Sequence, residues 1–430
     1  MVTQSLRFQY IWIDSICIIQ DDEEDWEVQS SLMGSIYSHA ACNIAATWAS
    51  DGSKGCFGNG DLAAKSPTFL TLRGSLGGSY QVWNNKSYEA DVIHAPLNKR
   101  GWVIQERYLA RQQLSFARRQ VYWECRELMA SEQFPAGLPE SISKHQACLE
   151  FENEFEARKA WNHIVELYSN CQLTKKSDKL VAISGLAQAL QESIHDDYIC
   201  GLWRKDLHHQ LLWVSEGDNG QVTTTYGQIA PTWSWANIDG PVLFLKDHLL
   251  AKSIESMPWM EVLGIPAGPT NRLSLRGIAV RSHIQISDDR NILSHEFRHI
   301  LDRSIRKSIT KVFNLHLSEY NRLYSAPDVV LDSYNDLQRN RDFDLIFFMI
   351  CRDRGVDQGL VLRKLPPITD GRMQYVRIGV FWTDPAFMDP YWKHVTDRLG
   401  LPEPDIYGMD RPLDLGDPRL ADLVHTVHIV

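Results

Sequence analysis

The sequence predicts an α/β module at the N-terminus, a helical segment behind it and a β-rich C-terminal region. Three observations predict this order. A buried-strand pattern, an amphipathic helix pattern and a second strand pattern follow one another within residues 10–47. Two helices with continuous apolar faces lie beyond a stretch carrying Pro135, Gly137 and Pro139. From about residue 230 the pattern shifts to strand-like alternation. The expected divisions are an α/β domain over 1–129, a linker over 130–147, a helical region over 148–228 and a β-rich region over 229–430. A chain of 430 residues suits two or three domains at ~100–200 residues each.

The elements follow in order. Tyr10-Ile-Trp-Ile-Asp14 reads as a short buried strand with Asp14 at its C-terminal end. The acidic run 21–25 precedes a helix whose apolar face is Met33, Ile36, Tyr37 and Ala40. Acidic residues at that point also suit the positive end of the helix dipole. A second strand is expected over Ala41–Thr47, and strand, helix, strand suggests an α/β layer. Residues 50–80 are rich in Gly and Ser and read as loop. Asn98 could cap a helix running through Arg111, because its side chain can accept from a free backbone N–H. Gln113-Leu-Ser-Phe116 and Val121-Tyr-Trp-Glu-Cys125, with a turn near Arg118-Arg119, form a hairpin pattern.

Beyond the linker, one helix shows Trp161, Ile164, Val165 and Tyr168 on one face. Another shows Leu180, Ile183, Ala187, Leu190 and Ile194, with Ser177 or Asp178 near its start. Gly185 inside that helix costs ~1 kcal/mol relative to Ala, which points to close packing there. Trp233 and Trp235 open the alternating region, and Arg272–Ile286, Phe343–Leu362 and Tyr375–Trp382 are strand candidates. A polar stretch, 287–342, separates the first two of these. There is no internal repeat and no G-x-x-x-x-G-K-[ST] loop, so no Walker-type nucleotide site is expected.

Composition narrows the partners. Hydrophobic residues make up 44% and charged residues 23%, close to an average globular protein. The formal net charge is -10, which repels nucleic acid and anionic lipid. Neither is expected as a partner. The eight cysteines are scattered with no C-x-x-C pair, which fits neither a zinc site nor a disulfide framework. They read as small buried residues in a reducing, cytoplasmic compartment. No signal peptide is evident, and no stretch reaches the ~18 apolar residues of a membrane span.

Three blocks, read together, resemble the fungal heterokaryon-incompatibility (HET) domain. The first is Tyr10-Ile-Trp-Ile-Asp-Ser-Ile-Cys-Ile-Ile-Gln20 with the acidic run to Trp26. The second is Met33-Gly-Ser-Ile-Tyr37-Ser-His-Ala40 running into Asn43-Ile-Ala-Ala46. The third is Leu97-Asn-Lys-Arg100-Gly-Trp102-Val-Ile-Gln105-Glu106-Arg107, then Leu114-Ser-Phe116 and Trp123-Glu-Cys125. The resemblance covers roughly residues 8–127. Pro231-Thr-Trp-Ser-Trp235 and Ile183-Ser-Gly-Leu-Ala187 are similar to what often follows such a domain. Family members usually begin with an earlier strand and a Ser-x-Cys-Trp-Gly-like loop. Nothing like it precedes Tyr10, so the resemblance implies a partial domain, its first part missing.

The resemblance implies a role in fungal self/non-self recognition and a cell-death response, through protein partners or self-association. The family has been considered distantly similar to TIR domains, some of which cleave NAD. No cofactor is expected, and NAD enters only as a substrate. Its cleavage passes through an oxocarbenium-like state that needs a nearby carboxylate. Asp14 and Glu106 are the carboxylates inside the matching motifs and the catalytic candidates. Gln20, Arg100, Trp102 and Gln105 are the ligand-binding candidates.

Each has a structural alternative. Asp14 could cap the following turn. Glu106 could pair with Arg100 or Arg107. Gln20 and Gln105 could satisfy buried backbone. Gln29 cannot replace a catalytic carboxylate, and nothing places Cys17 beside His39 as nucleophile and base. His208 and His209 are adjacent, and adjacent helical positions point to different faces, so no metal site is expected there. Arg107, Arg111, Arg118 and Arg119 among aromatic residues could bind single strands, but they also follow from alternation on a hairpin.

Overall fold

The structure is a computed structural model. It describes residues 2–58, 60–66, 68–74, 77–143, 147, 149–215, 223–224, 229–244, 257–264, 272–285, 312–314, 316–317, 328–331, 342–353, 356–366, 373–383 and 414–430. Two compact units emerge: Met1–Ala160 with Cys171–Ile194, and Trp161–Asn170 with His195–Val430.

In the first unit a single helical turn, α1 (Asp14–Cys17), precedes the long helix α2 (Glu23–His39). The acidic run explains where α2 starts. Asp22 is its N-cap and accepts from Asp25 N at 3.0 Å, and Asp25 in turn accepts from Ile19 N at 2.8 Å. Strand β1 (Asn43–Ala45) follows almost at once. A hairpin of β2 (Thr68–Leu72) and β3 (Gly78–Val82) precedes helix α3 (Gly101–Leu109). Strands β4 (Gln112–Phe116), β5 (Val121–Cys125) and β6 (Met129–Ser131) complete a sheet of order β1-β4-β5-β6. β1 runs parallel to β4, whereas β4, β5 and β6 are antiparallel neighbours, with Leu114 opposite Trp123.

Helix α4 (Glu154–Ser169) continues from the first unit into the second, and α5 (Val181–Ile194) returns to the first. Helices α2, α3 and α5 pack together. A Cβ on Gly185 would lie 3.0 Å from Gly34 Cα and 2.7 Å from Gln105 Oε1. Only a glycine pair permits that approach, so the close packing expected at Gly185 is present.

Two ion networks lie among the apolar side chains of the first unit's core. Arg107 donates to Glu124 at 3.1 Å and to the Tyr88 hydroxyl at 2.9 Å. Arg119 donates to Asp91 at 2.9 Å, and Tyr122 donates to the same carboxylate at 2.9 Å. Burial is tolerated because each charge meets an opposite charge and further hydrogen bonds.

The second unit is built on tryptophan. Trp161, Trp203, Trp213, Trp233 and Trp235 have no exposed surface. Trp161 and Trp235 both donate to Gly201 O, at 3.1 and 2.8 Å. Gly201 has φ +93, and a Cβ there would lie 2.5 Å from Trp235 Nε1, so both backbone and space demand glycine. Short strands β7 (Tyr198–Ile199) and β8 (Leu202–Trp203) lead to the single-turn helix α6 (Leu207–Gln210). The main sheet holds β9 (Leu273–Gln285), β10 (Asp342–Asp353), β11 (Val356–Lys364), β12 (Tyr375–Thr383) and β13 (Val424–Ile429). β10 pairs with β9 and β11, β11 with β12, and β13 with both β12 and β9. The pairing therefore closes into a small barrel around Leu273, Leu275, Phe348, Leu360, Leu362, Val380 and Ile429, all unexposed.

The α/β start, the helices and the β-rich C-terminal region agree with the sequence reading, and several local expectations do not. Tyr10–Asp14 is not a strand. Ile13 keeps extended dihedrals (φ −137, ψ 121), but among the described residues it has no strand partner; its carbonyl accepts from Ile16 N and Cys17 N, and Asp14 begins α1 instead of ending a strand. An extended segment without a ladder partner is not a β-strand. Part of the expected loop 50–80 is the β2–β3 hairpin. Asn98 does not cap α3. Its Nδ2 donates to Val92 O at 2.6 Å, and Arg100 is the N-cap.

The segment read as a linker contributes β6 to the sheet and buried Ile142 to the core beside Tyr88, Val92 and Met129. Its Pro and Gly mark turns within one body. Trp233 precedes a 3-10 turn that Trp235 opens, and neither lies in a strand. Most of 287–342 lies outside the described residues. Among the described residues no helix is long and apolar enough to cross a membrane.

Candidate functional site

Three elements bring one cluster together in the first unit. α1 carries Asp14 at its first position, the last turn of α2 carries Tyr37, and α3 starts after Arg100 and holds Glu106. The start of α3 is fixed from two sides. Gly101 N donates to Gln172 O at 2.8 Å, and Gln172 N donates to Lys99 O at 2.6 Å.

Glu106 accepts a hydrogen bond from the Tyr37 hydroxyl. Burial pushes the Glu106 carboxyl up to about 7. The Tyr37 bond and the Arg100 charge pull it down, and the Asp14 charge pushes it up further. Tyr37 is raised well above its ordinary value, by burial first and then by the Glu106 charge it faces. It stays protonated and acts as a donor. The Asp14 and Arg100 charges therefore act on Glu106 in opposite directions.

The rim is different in character. Asp14 and Arg100 are exposed, while Glu106 and Tyr37 are half-buried. Trp12 packs edge-on to Tyr37 at 5.8 Å, and Trp102 packs edge-on to Trp26 at 6.4 Å. A carboxyl near 7 can give or take a proton at neutral pH, and an exposed guanidinium beside it can receive an anionic group. Perturbed carboxyls of this kind concentrate at functional sites.

The candidates divide accordingly. Glu106 feels the charges of both Asp14 and Arg100. Asp14 also accepts from Ser15 N at 2.7 Å, so it caps its own turn as well. The alternative pairing of Glu106 with Arg107 fails, because Arg107 is committed to Glu124. Gln20 is occupied with backbone: its Nε2 donates to Ile18 O at 3.0 Å and Asp14 O at 3.2 Å. Trp102 packs on Trp26. Gln105 is 1% exposed and faces Gly185, away from solvent, with no hydrogen-bond partner for its Oε1 among the described residues.

Tyr37 is the residue that sequence reasoning missed. It sits on the apolar face of a helix, where an aromatic ring reads as core, and only the fold reveals that its hydroxyl meets Glu106. Within the arginine stretch, Arg107 on α3 and Arg119 in the β4–β5 turn are both held by carboxylates, while Arg111 and Arg118 are exposed.

Residues 1–106 match the family model described as Heterokaryon incompatibility protein (HET). No curated protein and no solved structure matches the chain. Asp14, Tyr37, Arg100 and Glu106 all fall inside the matched stretch, which is similar to the heterokaryon-incompatibility (HET) domain.

Proposed function

We propose that the chain acts in fungal non-self recognition and regulated cell death as a cytoplasmic signalling module that self-associates or docks on a protein partner. One observation carries this reading. The segment before α2 exposes Tyr10 (87%), Ile11 (56%), Ile16 (77%) and Ile19 (57%) together. Several large exposed apolar side chains within ten residues of sequence are the kind of feature that marks interaction surfaces. The backbone of Tyr10–Trp12 lies in no strand among the described residues, and a partner strand could pair with it.

Light scattering on the purified chain tests the reading. The expected result is concentration-dependent assembly that Ile16→Asp abolishes, with cell death on expression lost in the same variant. A strictly monomeric protein that captures no partner in cell extract counts against it.

The Glu106 cluster favours a second reading, a TIR-like hydrolysis of NAD. In that reaction the bond between ribose and nicotinamide breaks, nicotinamide leaves with the bonding pair, and water adds to the ribose carbon. Ionised Glu106 would stabilise the cationic ribose and take the proton from water, with Arg100 holding phosphate. NAD loss is then expected to rise as pH passes through about 7, following Glu106 ionisation. It should vanish in Glu106→Gln and Asp14→Asn without unfolding. Equal turnover in wild type and both variants removes these residues from the chemistry.

A further inference from the structure

A second cluster of polar side chains lies in the other unit, around α6. Asp206, His208 and His209 each present one ligand atom, and these atoms lie within 4.8 Å of one another. The two imidazole rings sit 3.8 Å apart at their centroids, tilted by 42°. Adjacent helical positions diverge along a long helix, but α6 is a single turn and its rotamers bring both rings to one side. His209 Nδ1 and Asp206 Oδ1 are 2.6 Å apart. Asp206 is the N-cap of the turn, yet its side chain makes no capping bond to the backbone. Its carboxylate is turned to the imidazole instead.

We propose that Asp206, His208 and His209 form a binding site for a divalent first-row transition cation of the Zn²⁺ type. Two imidazole nitrogens and one carboxylate oxygen suit such an ion and disfavour Ca²⁺ or Mg²⁺, which take oxygen ligands. Bonds of ~2.0–2.1 Å to a tetrahedral ion place ligand atoms ~3.3 Å apart. The 2.6 Å contact must open slightly and the wider separations must contract, both within the reach of side-chain rotation. The site is made of side chains and owes nothing to the backbone of the turn. Three protein ligands leave a fourth position for water or a small anion.

The support around the cluster is rigid. Gln210 is fully buried, accepts from Trp203 N at 2.6 Å and donates to Asn162 at 2.9 Å. Leu207 and Leu211, on either side, are buried as well. These contacts hold the turn in place whichever way its outer rings rotate. His209 is 8% exposed, while His208 and Asp206 keep some accessible surface, which gives an ion a way in.

Metal titration of the full, chelator-stripped chain tests this. Calorimetry with Zn²⁺ is expected to show one tight site per chain, weakened at least about tenfold in His208→Ala and in Asp206→Asn. His94→Ala, which removes an exposed histidine of the other unit, should leave that site intact. Co²⁺ added to the wild-type chain gives an independent reading, because a tetrahedral nitrogen- and oxygen-ligated ion shows intense visible bands. Absence of those bands, or Zn²⁺ binding unchanged in both variants, overturns the proposal.

Discussion

At the scale of single residues, Glu106 is where the fold stores a cost. Its carboxyl is pushed from an ordinary value of 4.5 up to about 7, chiefly by burial. A group with a raised native value binds more protons in the native than in the unfolded state between those pH values. Its contribution is therefore full below about 4.5 and falls away as pH climbs through about 7. Glu106 keeps part of its surface accessible, so the effect is discounted to about 2 kcal/mol at most. Glu106→Gln removes the titration. Denaturant unfolding should show the variant gaining on wild type as pH rises from 5 to 8. A constant difference between the two proteins across that range would mean that Glu106 is not held in this way.

The same residue shows what sequence can and cannot reveal of a site. Asp14, Arg100 and Glu106 were legible because they lie in motifs of recognisable order and spacing. Tyr37 was not, because its role depends on the packing of α2 against α3, which no local pattern encodes.

Among elements, the crossing of α2 and α5 leaves no room for a side chain at its centre. Gly34 and Gly185 face each other so closely that a Cβ on Gly185 would need 3.0 Å from backbone. Alanine gains ~1 kcal/mol of helix propensity over glycine. Overpacking costs ~1–3 kcal/mol, and a backbone neighbour cannot swing away as a side chain can. Gly185→Ala should therefore be destabilising on balance, by roughly 1 kcal/mol, and Gly185→Val by more. Gly52 has nothing within 4 Å of its would-be Cβ, so Gly52→Ala serves as the near-neutral comparison. Equal stability of the two alanine variants in chemical denaturation would show that the crossing relaxes.

That crossing was readable as a glycine costing helix propensity inside an apolar helix face. The failed strand at Tyr10–Asp14 was not readable, because an apolar run bounded by Asp describes residues and says nothing of a neighbour. Pro135, Gly137 and Pro139 misled in the opposite direction. Turn residues read the same whether they lie between bodies or, as here, between β6 and buried Ile142.

For the whole molecule, two facts pull against each other. The chain carries a net charge of -10, and its exposed apolar segment is followed directly by Asp21, Asp22, Glu23, Glu24 and Asp25. Two copies meeting through this face bring two acidic runs together, which at low ionic strength opposes contact. At 0.1 M salt the screening length is ~10 Å, so the repulsion between the runs fades while apolar burial persists. Self-association through Tyr10, Ile11, Ile16 and Ile19 should therefore strengthen as salt rises from low ionic strength to ~0.5 M. A partner with a basic face reverses the sign, because the same acidic run then attracts and salt weakens the complex. Sedimentation equilibrium of the chain alone across that salt range separates the cases. Tighter assembly at high salt identifies the apolar face as the driving surface between copies. Assembly that dissolves with salt assigns the association to ion pairs elsewhere and leaves the apolar segment for a different protein.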